Sequence, residues 1–148
     1  MHGVSIPIKR LSAANFPLPS YQTIGAAGMD LPAVITEPVT LQAGEYRLIP
    51  CGFAMAIPEG YEAQIRPRSG LASRFGVTVL NAPGTIDADY RGEVCVLLVN
   101  LGPDAFTITP GERVAQLVIG PVSRVTWQPV ETLPDTPRGE GGFGHTGI

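Results

Sequence analysis

What most limits the fold of this chain is the spread of its glycines and prolines. The 148 residues include 18 glycines and 15 prolines, and these punctuate the sequence every few positions instead of clustering. Proline removes a backbone donor and glycine is costly to order, so hardly any window remains for a helix of several turns. Between the breaks lie short apolar or alternating runs: "VSIPIKRL", "VTLQAGEYRLIPCGFAMAIP", "YEAQIRP", "VTVLN", "EVCVLLVN", "AFTITPG" and "ERVAQLVIGPVSRVTW" all read as strands. In "YEAQIRP", Tyr61, Ala63 and Ile65 share one face and Glu62, Gln64 and Arg66 the other. Only "SGLASRFG" reads as helix, with Ser69 able to cap it and Gly76 to end it, and it makes barely two turns. The expectation is one all-β domain, a jelly-roll or sandwich with one short helix.

Charge and cysteine usage narrow the function classes. The net charge is -3 and the Lys and Arg residues are scattered, so the basic face of a nucleic-acid-binding domain is missing. Cys51 and Cys95 lie in apolar, strand-like contexts without a C-x-x-C pair, and the N-terminus shows no secretory pattern. Two reduced thiols in a cytoplasmic protein are expected. The run "VCVLLV" is too short to span a bilayer. With 44% hydrophobic residues the chain is apolar for its size, which points to self-association.

Four stretches carry polar groups that strands and turns alone do not require. In "RPRSGLASRFG", Arg66, Arg68 and Ser69 stand just before the helix, where outward N–H groups and two guanidiniums suit phosphate oxygens; a capped helix with solvated arginines fits as well. In "ERVAQLVIG", alternation puts Gln116 on the side of Val114 and Val118, where a polar group needs a partner, most simply a backbone group. In "NAPGTIDADYRGEV", Pro83 and Gly84 turn the chain ahead of two acids and a tyrosine. If residues 85–90 are extended, Thr85, Asp87 and Asp89 share one face and Ile86, Ala88 and Tyr90 the other. One carboxylate then sits at a pocket with Tyr90 close behind; two exposed turn acids are the alternative. In the tail "RGEGGFGHTGI", Arg138 can grip a phosphate and Phe143 can stack on a flat ring, or the segment is simply disordered.

Five blocks in order, "AGMDL", "RPRSGLA", "NAPGTIDADYRGE", "GERVAQL" and "RGEGGFGHTG", resemble the trimeric deoxyuridine triphosphatases (dUTPases) over nearly the whole chain. The resemblance implies hydrolysis of dUTP to dUMP and pyrophosphate on a homotrimer with three shared active sites. Residues 1–137 correspond to the jelly-roll domain, and 138–148 to a glycine-rich lid lent by a third chain. It implies Asp87 as the water-activating carboxylate, Tyr90 beneath the deoxyribose, and Asn81 with the backbone of Thr85 and Ile86 at uracil. Arg68, Ser69, Gly70 and Gln116 match phosphate-contacting positions, Arg138 the phosphate clamp of the lid, and Phe143 its stacking ring. Asp30 matches an acid linked to the water shell of Mg²⁺, an ion held mainly by substrate phosphates, so no direct protein ligand to metal is implied. His145 stands where many members have serine, and Pro32 after "DL" is unusual, which touches only individual contacts.

Elementary chemistry agrees with these roles. A carboxylate can orient a water and take its proton, while Mg²⁺ and guanidiniums offset charge moving onto the leaving oxygens. One extra methyl is typically worth only ~1 to 3 kcal/mol, so rejecting thymine needs the rigid clash that a backbone hairpin supplies. Two rivals share the fold: a dCTP deaminase, alone or bifunctional, and a trimeric binding protein without turnover. The H-x-E and P-C-x-x-C pattern of zinc deaminases is absent, and the intact "GTIDADY" and "RGEGGFGHTG" blocks favour the hydrolase.

Overall fold

The structure, a computed structural model, describes residues 3–12 and 15–147. Among them, eleven strands and one short helix follow the glycine and proline punctuation. The strands are β1 (Ile8–Arg10), β2 (Met29–Pro32), β3 (Val39–Leu41), β4 (Tyr46–Pro50), β5 (Phe53–Met55), β6 (Tyr61–Arg66), β7 (Val77–Val79), β8 (Gly84–Ile86), β9 (Cys95–Asn100), β10 (Phe106–Ile108) and β11 (Arg113–Pro121). The helix α1 (Ser69–Phe75) lies between β6 and β7. All pairings are antiparallel, in small sheets ordered β1-β5, β3-β10, β2-β11-β6-β8 and β4-β9-β7. This is the expected all-β, jelly-roll-like fold.

Alternation along each strand feeds one core, where Leu31, Ile49, Phe53, Leu98, Ile108 and Leu117 are sealed from solvent. In β6, Ala63 and Ile65 are buried and Arg66 is exposed, as read from the sequence. Asn100 is the buried polar exception among the described residues, and it is fully partnered. Its amide donates to the carbonyls of Leu41 and Asp104 at 3.0 and 2.8 Å and its oxygen accepts from Gly102 N–H at 3.0 Å, so its desolvation is compensated.

Three expectations are corrected. The long run 39–58 holds three strands, because Gly44 and Gly52 adopt positive φ and turn the chain twice. The helix is capped by the extended backbone of Arg68, with no side-chain cap hydrogen bond, so Ser69 is its first residue and not its cap. It closes as expected on Gly76 at φ 68°, whose N–H donates to Ala72 and Leu71 carbonyls. The expected strand through Trp127 stops at Pro121, since beyond the Val122 N–H bond to Gly60 O no neighbouring strand offers a ladder. Val125, Trp127 and Leu133 are left bare to solvent.

Candidate active site

The four-stranded sheet puts its core side chains on one face and a polar row on the other. Register sets Asp30 of β2 opposite Gln116 of β11, Gln116 opposite Arg66 of β6, and Gln64 opposite Thr85 of β8. Side chains opposite one another across a ladder share a face, so Asp30, Gln116, Arg66, Gln64 and Thr85 lie along one side. Here the expectation for Gln116 divides. It does have a backbone partner, donating from Nε2 to Pro67 O at 3.0 Å. It is not on the core face, however, because the ladder shifts between Arg113 and Ala115, where Val114 and Ala115 are both buried. That shift is a β-bulge, which reverses the alternation around it.

Close to Gln116 stands the start of α1. The first intrahelical bond runs from Ala72 N–H to Arg68 O at 3.1 Å, so the N–H groups of Ser69, Gly70 and Leu71 precede the intrahelical ladder. Arg68 is held in place from two sides: Nε lies 3.3 Å from Asp30 Oδ1, and Nη1 donates to Arg113 O at 3.0 Å. Arg113 in turn donates to Asp30 Oδ2 at 3.0 Å. Arg66 points elsewhere, its guanidinium donating to Gln64 Oε1. A small residue makes room for the cluster: a Cβ on Gly28 would sit 2.5 Å from Gln116 Oε1.

The second group of predicted residues lies on the segment between β7 and β9, around β8. Asn81 folds over Gly84, where a Cβ would meet Ile65 at 3.3 Å and the Asn81 amide at 3.4 Å, so glycine permits the close approach. Strand β8 is an edge strand, paired only with β6, and its other side keeps open backbone groups. Ile86 is buried and Thr85 and Asp87 are exposed. The alternation ends there, which corrects the extended reading of residues 85–90. Tyr90 N–H bonds back to Asp87 O at 3.2 Å, making a turn, and Tyr90 is exposed instead of sharing the buried face of Ile86. The Tyr90 hydroxyl donates to Glu93 O at 2.9 Å, and its ring covers Gly92. Glu93, which sequence reasoning passed over, accepts from Gly52 N–H at 3.0 Å and ties the far end of the hairpin to the β4–β5 turn.

Asp87 and Arg68 do not meet within one chain. Ile86 is level with Ala63, so Asp87 falls level with Glu62, six positions from Arg68 along the direction of β6. At the rise of a strand that is about 20 Å. The tail joins neither group: Arg138 Nε donates to Gly141 O at 2.8 Å, the tail's backbone hydrogen bonds stay within residues 136–147, and Phe143 stands fully exposed at φ 50°. Ile148, the last residue of the expected lid, lies outside the described residues.

A cavity of about 1120 Å³ lies elsewhere, between the N-terminal segment and the sheet, against Ile8, Leu18, Met29, Phe53, Leu117 and Ile119. Among the described residues, no carboxylate, imidazole, thiol or guanidinium lines it. Both cysteines are free. Burial, then the nearby Cys95 and Glu93, push the Cys51 thiol up to about 12; burial and Glu93 raise Cys95 as well. Neither is a ready nucleophile. Among the described residues no helix is long and apolar enough to cross a membrane.

The sequence profile of the dUTPase family matches residues 14–147. A deoxyuridine 5'-triphosphate nucleotidohydrolase of Rickettsia bellii is 55% identical over 143 residues, 97% of this chain and 95% of that protein. One of Desulfotalea psychrophila is 60% identical over 131 residues, 88% of this chain and 87% of that protein. Among solved structures, a mutant dUTPase of Staphylococcus bacteriophage 80alpha with dUpNHpp superposes with a TM-score of 0.83 at 29% identity, covering 97% of this chain and 99% of that one. A mutant dUTPase from phage phi11 of S. aureus, described with a structural Mg(II) ion, gives 0.77 at 25% identity, covering 87% and 98%. Matched by the family profile and by these relatives over nearly its full length, the chain belongs to the dUTPase family.

Proposed function

We propose that this protein hydrolyses dUTP to dUMP and pyrophosphate, removing dUTP from the nucleotide pool and supplying dUMP. The observation that carries this reading is the open first turn of α1 with Arg68 and Gln116 fixed beside it. Phosphate oxygens fit there: the N–H groups of Ser69 and Gly70 donate, and Arg68 adds a fixed positive charge. Gln116 lends its amide at the same edge. The pyrimidine is read by the edge of β8, where Asn81 and the backbone of Thr85 and Ile86 offer rigid donors and acceptors. Cytosine reverses the pattern at two ring positions, leaving buried groups unpaired at about 1 to 3 kcal/mol each. Tyr90 packs beneath the deoxyribose and leaves no space for a 2′-hydroxyl.

Asp87 orients the attacking water and takes its proton as charge moves onto the pyrophosphate. Because Asp87 and Arg68 are about 20 Å apart along β6, one chain cannot complete a site. A homotrimer resolves this: the hairpin of one copy faces the Arg68 cluster of the next, and a third copy lends residues 138–148 as a lid, with residues 1–137 forming the jelly-roll body. In the lid, Arg138 grips phosphate and Phe143 stacks on uracil. Assembly is supported by the outer face of β4-β9-β7, where Tyr46 and Leu48 are 63% and 60% exposed beside Leu80. An apolar face of this kind calls for a partner surface. The two free cysteines fit a reducing cytoplasm.

Among the described residues no group of three or more His, Cys, Asp or Glu is placed to hold a metal ion. The donor set suits Mg²⁺ that is bound mainly to substrate phosphates, with Asp30 reaching its water shell through lone pairs that Arg68 and Arg113 leave free. When bound, the ion neutralises charge developing on the phosphate oxygens.

The test is a substrate panel of dUTP, dTTP, dCTP and UTP with pyrophosphate and ammonia both measured. Pyrophosphate from dUTP alone is expected. Ammonia from dCTP makes the protein a deaminase, and trimers with no turnover make it a binding protein; either result overturns the proposal.

A further inference from the structure

The β-bulge in β11 has a consequence at the phosphate cluster. Asp30 and Pro32 are two residues apart on β2, but their partners Gln116 and Arg113 are three apart on β11. In a regular strand the extra residue puts Arg113 on the face opposite Gln116, toward the core. The bulge absorbs that residue as Val114, which is buried, and returns Arg113 to the polar side with Asp30 and Gln116.

There Arg113 makes two contacts that bear on Arg68. Its Nη1 takes Asp30 Oδ2 at 3.0 Å while Arg68 Nε holds Oδ1 at 3.3 Å, so one carboxylate is divided between two guanidiniums. Its carbonyl accepts from Arg68 Nη1 at 3.0 Å. Charge counting gives the reason for the arrangement. A lone Arg68–Asp30 pair is neutral overall; the trio carries one net positive charge. The Asp30 side chain is only 22% exposed and Arg68 30%, so solvent screens this charge less than at an open surface.

We propose that Arg113 is a positioning residue for Arg68: through Asp30 and its own carbonyl it fixes the Arg68 guanidinium and keeps its charge available to the triphosphate. This rests on the phosphate-binding reading of the α1 cluster. At 54% exposed, Arg113 carries little of the fold, so its replacement leaves the protein folded.

The experiment measures binding of dUpNHpp and of deoxyuridine, and kcat and KM for dUTP, in Arg113→Ala, Arg113→Lys, Arg68→Ala and the Arg113→Ala/Arg68→Ala pair. Arg113→Ala is expected to weaken dUpNHpp about tenfold and leave deoxyuridine within about twofold, with Lys recovering part of the loss. In the Arg68→Ala background, the same change is expected to add no more than about twofold. A full Arg113→Ala loss in that background makes Arg113 a direct contact and overturns the proposal. So does an equal loss of deoxyuridine, or no loss at all. If the unmodified protein neither binds dUpNHpp nor hydrolyses dUTP, the phosphate reading itself falls and takes this inference with it.

Discussion

The side-chain amide of Gln116 donates to the carbonyl of Pro67 at 3.0 Å, linking β11 to the residue just before the α1 cap. Gly28 leaves the space for it, since a Cβ there would lie 2.5 Å from Gln116 Oε1. Gly28→Ala therefore pushes the amide off Pro67. Because the clashing atom is the end of a flexible side chain, stability is expected to fall by about 1 kcal/mol or less. KM for dUTP is expected to rise several-fold. Thermal melts and steady-state kinetics check both, and an unchanged KM removes Gln116 from the phosphate site.

Asp87 is placed by a turn and not by a strand, with its carboxylate exposed at the open end of β8. Asp87→Asn keeps the shape and loses the proton acceptor. Turnover is expected to drop about 10²- to 10⁴-fold while dUpNHpp binding persists. Single-turnover rates measured beside binding separate the two effects; near-normal turnover takes Asp87 out of the mechanism.

Residues 138–147 make hydrogen bonds only within the tail and its approach and bury no core side chain. Truncation before Arg138 is expected to leave the melting temperature and assembly unchanged and to reduce kcat/KM by at least about tenfold. Light scattering and kinetics on the truncated chain check this. Loss of assembly assigns the tail a structural role instead.

Leu48 stands 60% exposed on a sheet face flanked by Tyr46, Leu80 and partly covered Leu97. Leu48→Glu places a charge on the face proposed to join copies, and desolvating it costs several kcal/mol. Trimers are expected to dissociate and activity to vanish with them, because Asp87 and Arg68 then have no partner chain between them. Sedimentation at several concentrations reads the result.

Cys51 keeps its proton in the folded state well beyond the ordinary thiol value of 9.0, up to about 12. A raised folded value means that its contribution is complete below about 9, where both states are protonated. Above 9 the unfolded chain loses the proton first, and stability declines as pH rises toward 12. Cys51→Ala is expected to lower stability at pH 7 through the cavity it leaves, and to flatten the decline above pH 9. Denaturant melts of both proteins from pH 7 to 11 test the difference in slope.

Much of this was legible in the sequence because it depends on local chemistry. Glycine and proline spacing excluded long helices, period-two alternation marked Ala63 and Ile65 as core, and Gly76 announced the end of α1. The polar residues of the phosphate and hairpin stretches were also plain, since carboxylates and guanidiniums at the edges of apolar runs have no role in a core. Only the tertiary structure decided which of them meet. Arg113 was invisible as a partner of Asp30, because a bulge moves it from one face to the other and no local pattern encodes that shift. The separation of Asp87 from Arg68 follows from how β8 registers on β6, 19 to 23 positions away in the chain. Backbone periodicity is set residue by residue, whereas register is set by pairing between distant segments, and that pairing is what puts Asp87 and Arg68 toward opposite ends of β6.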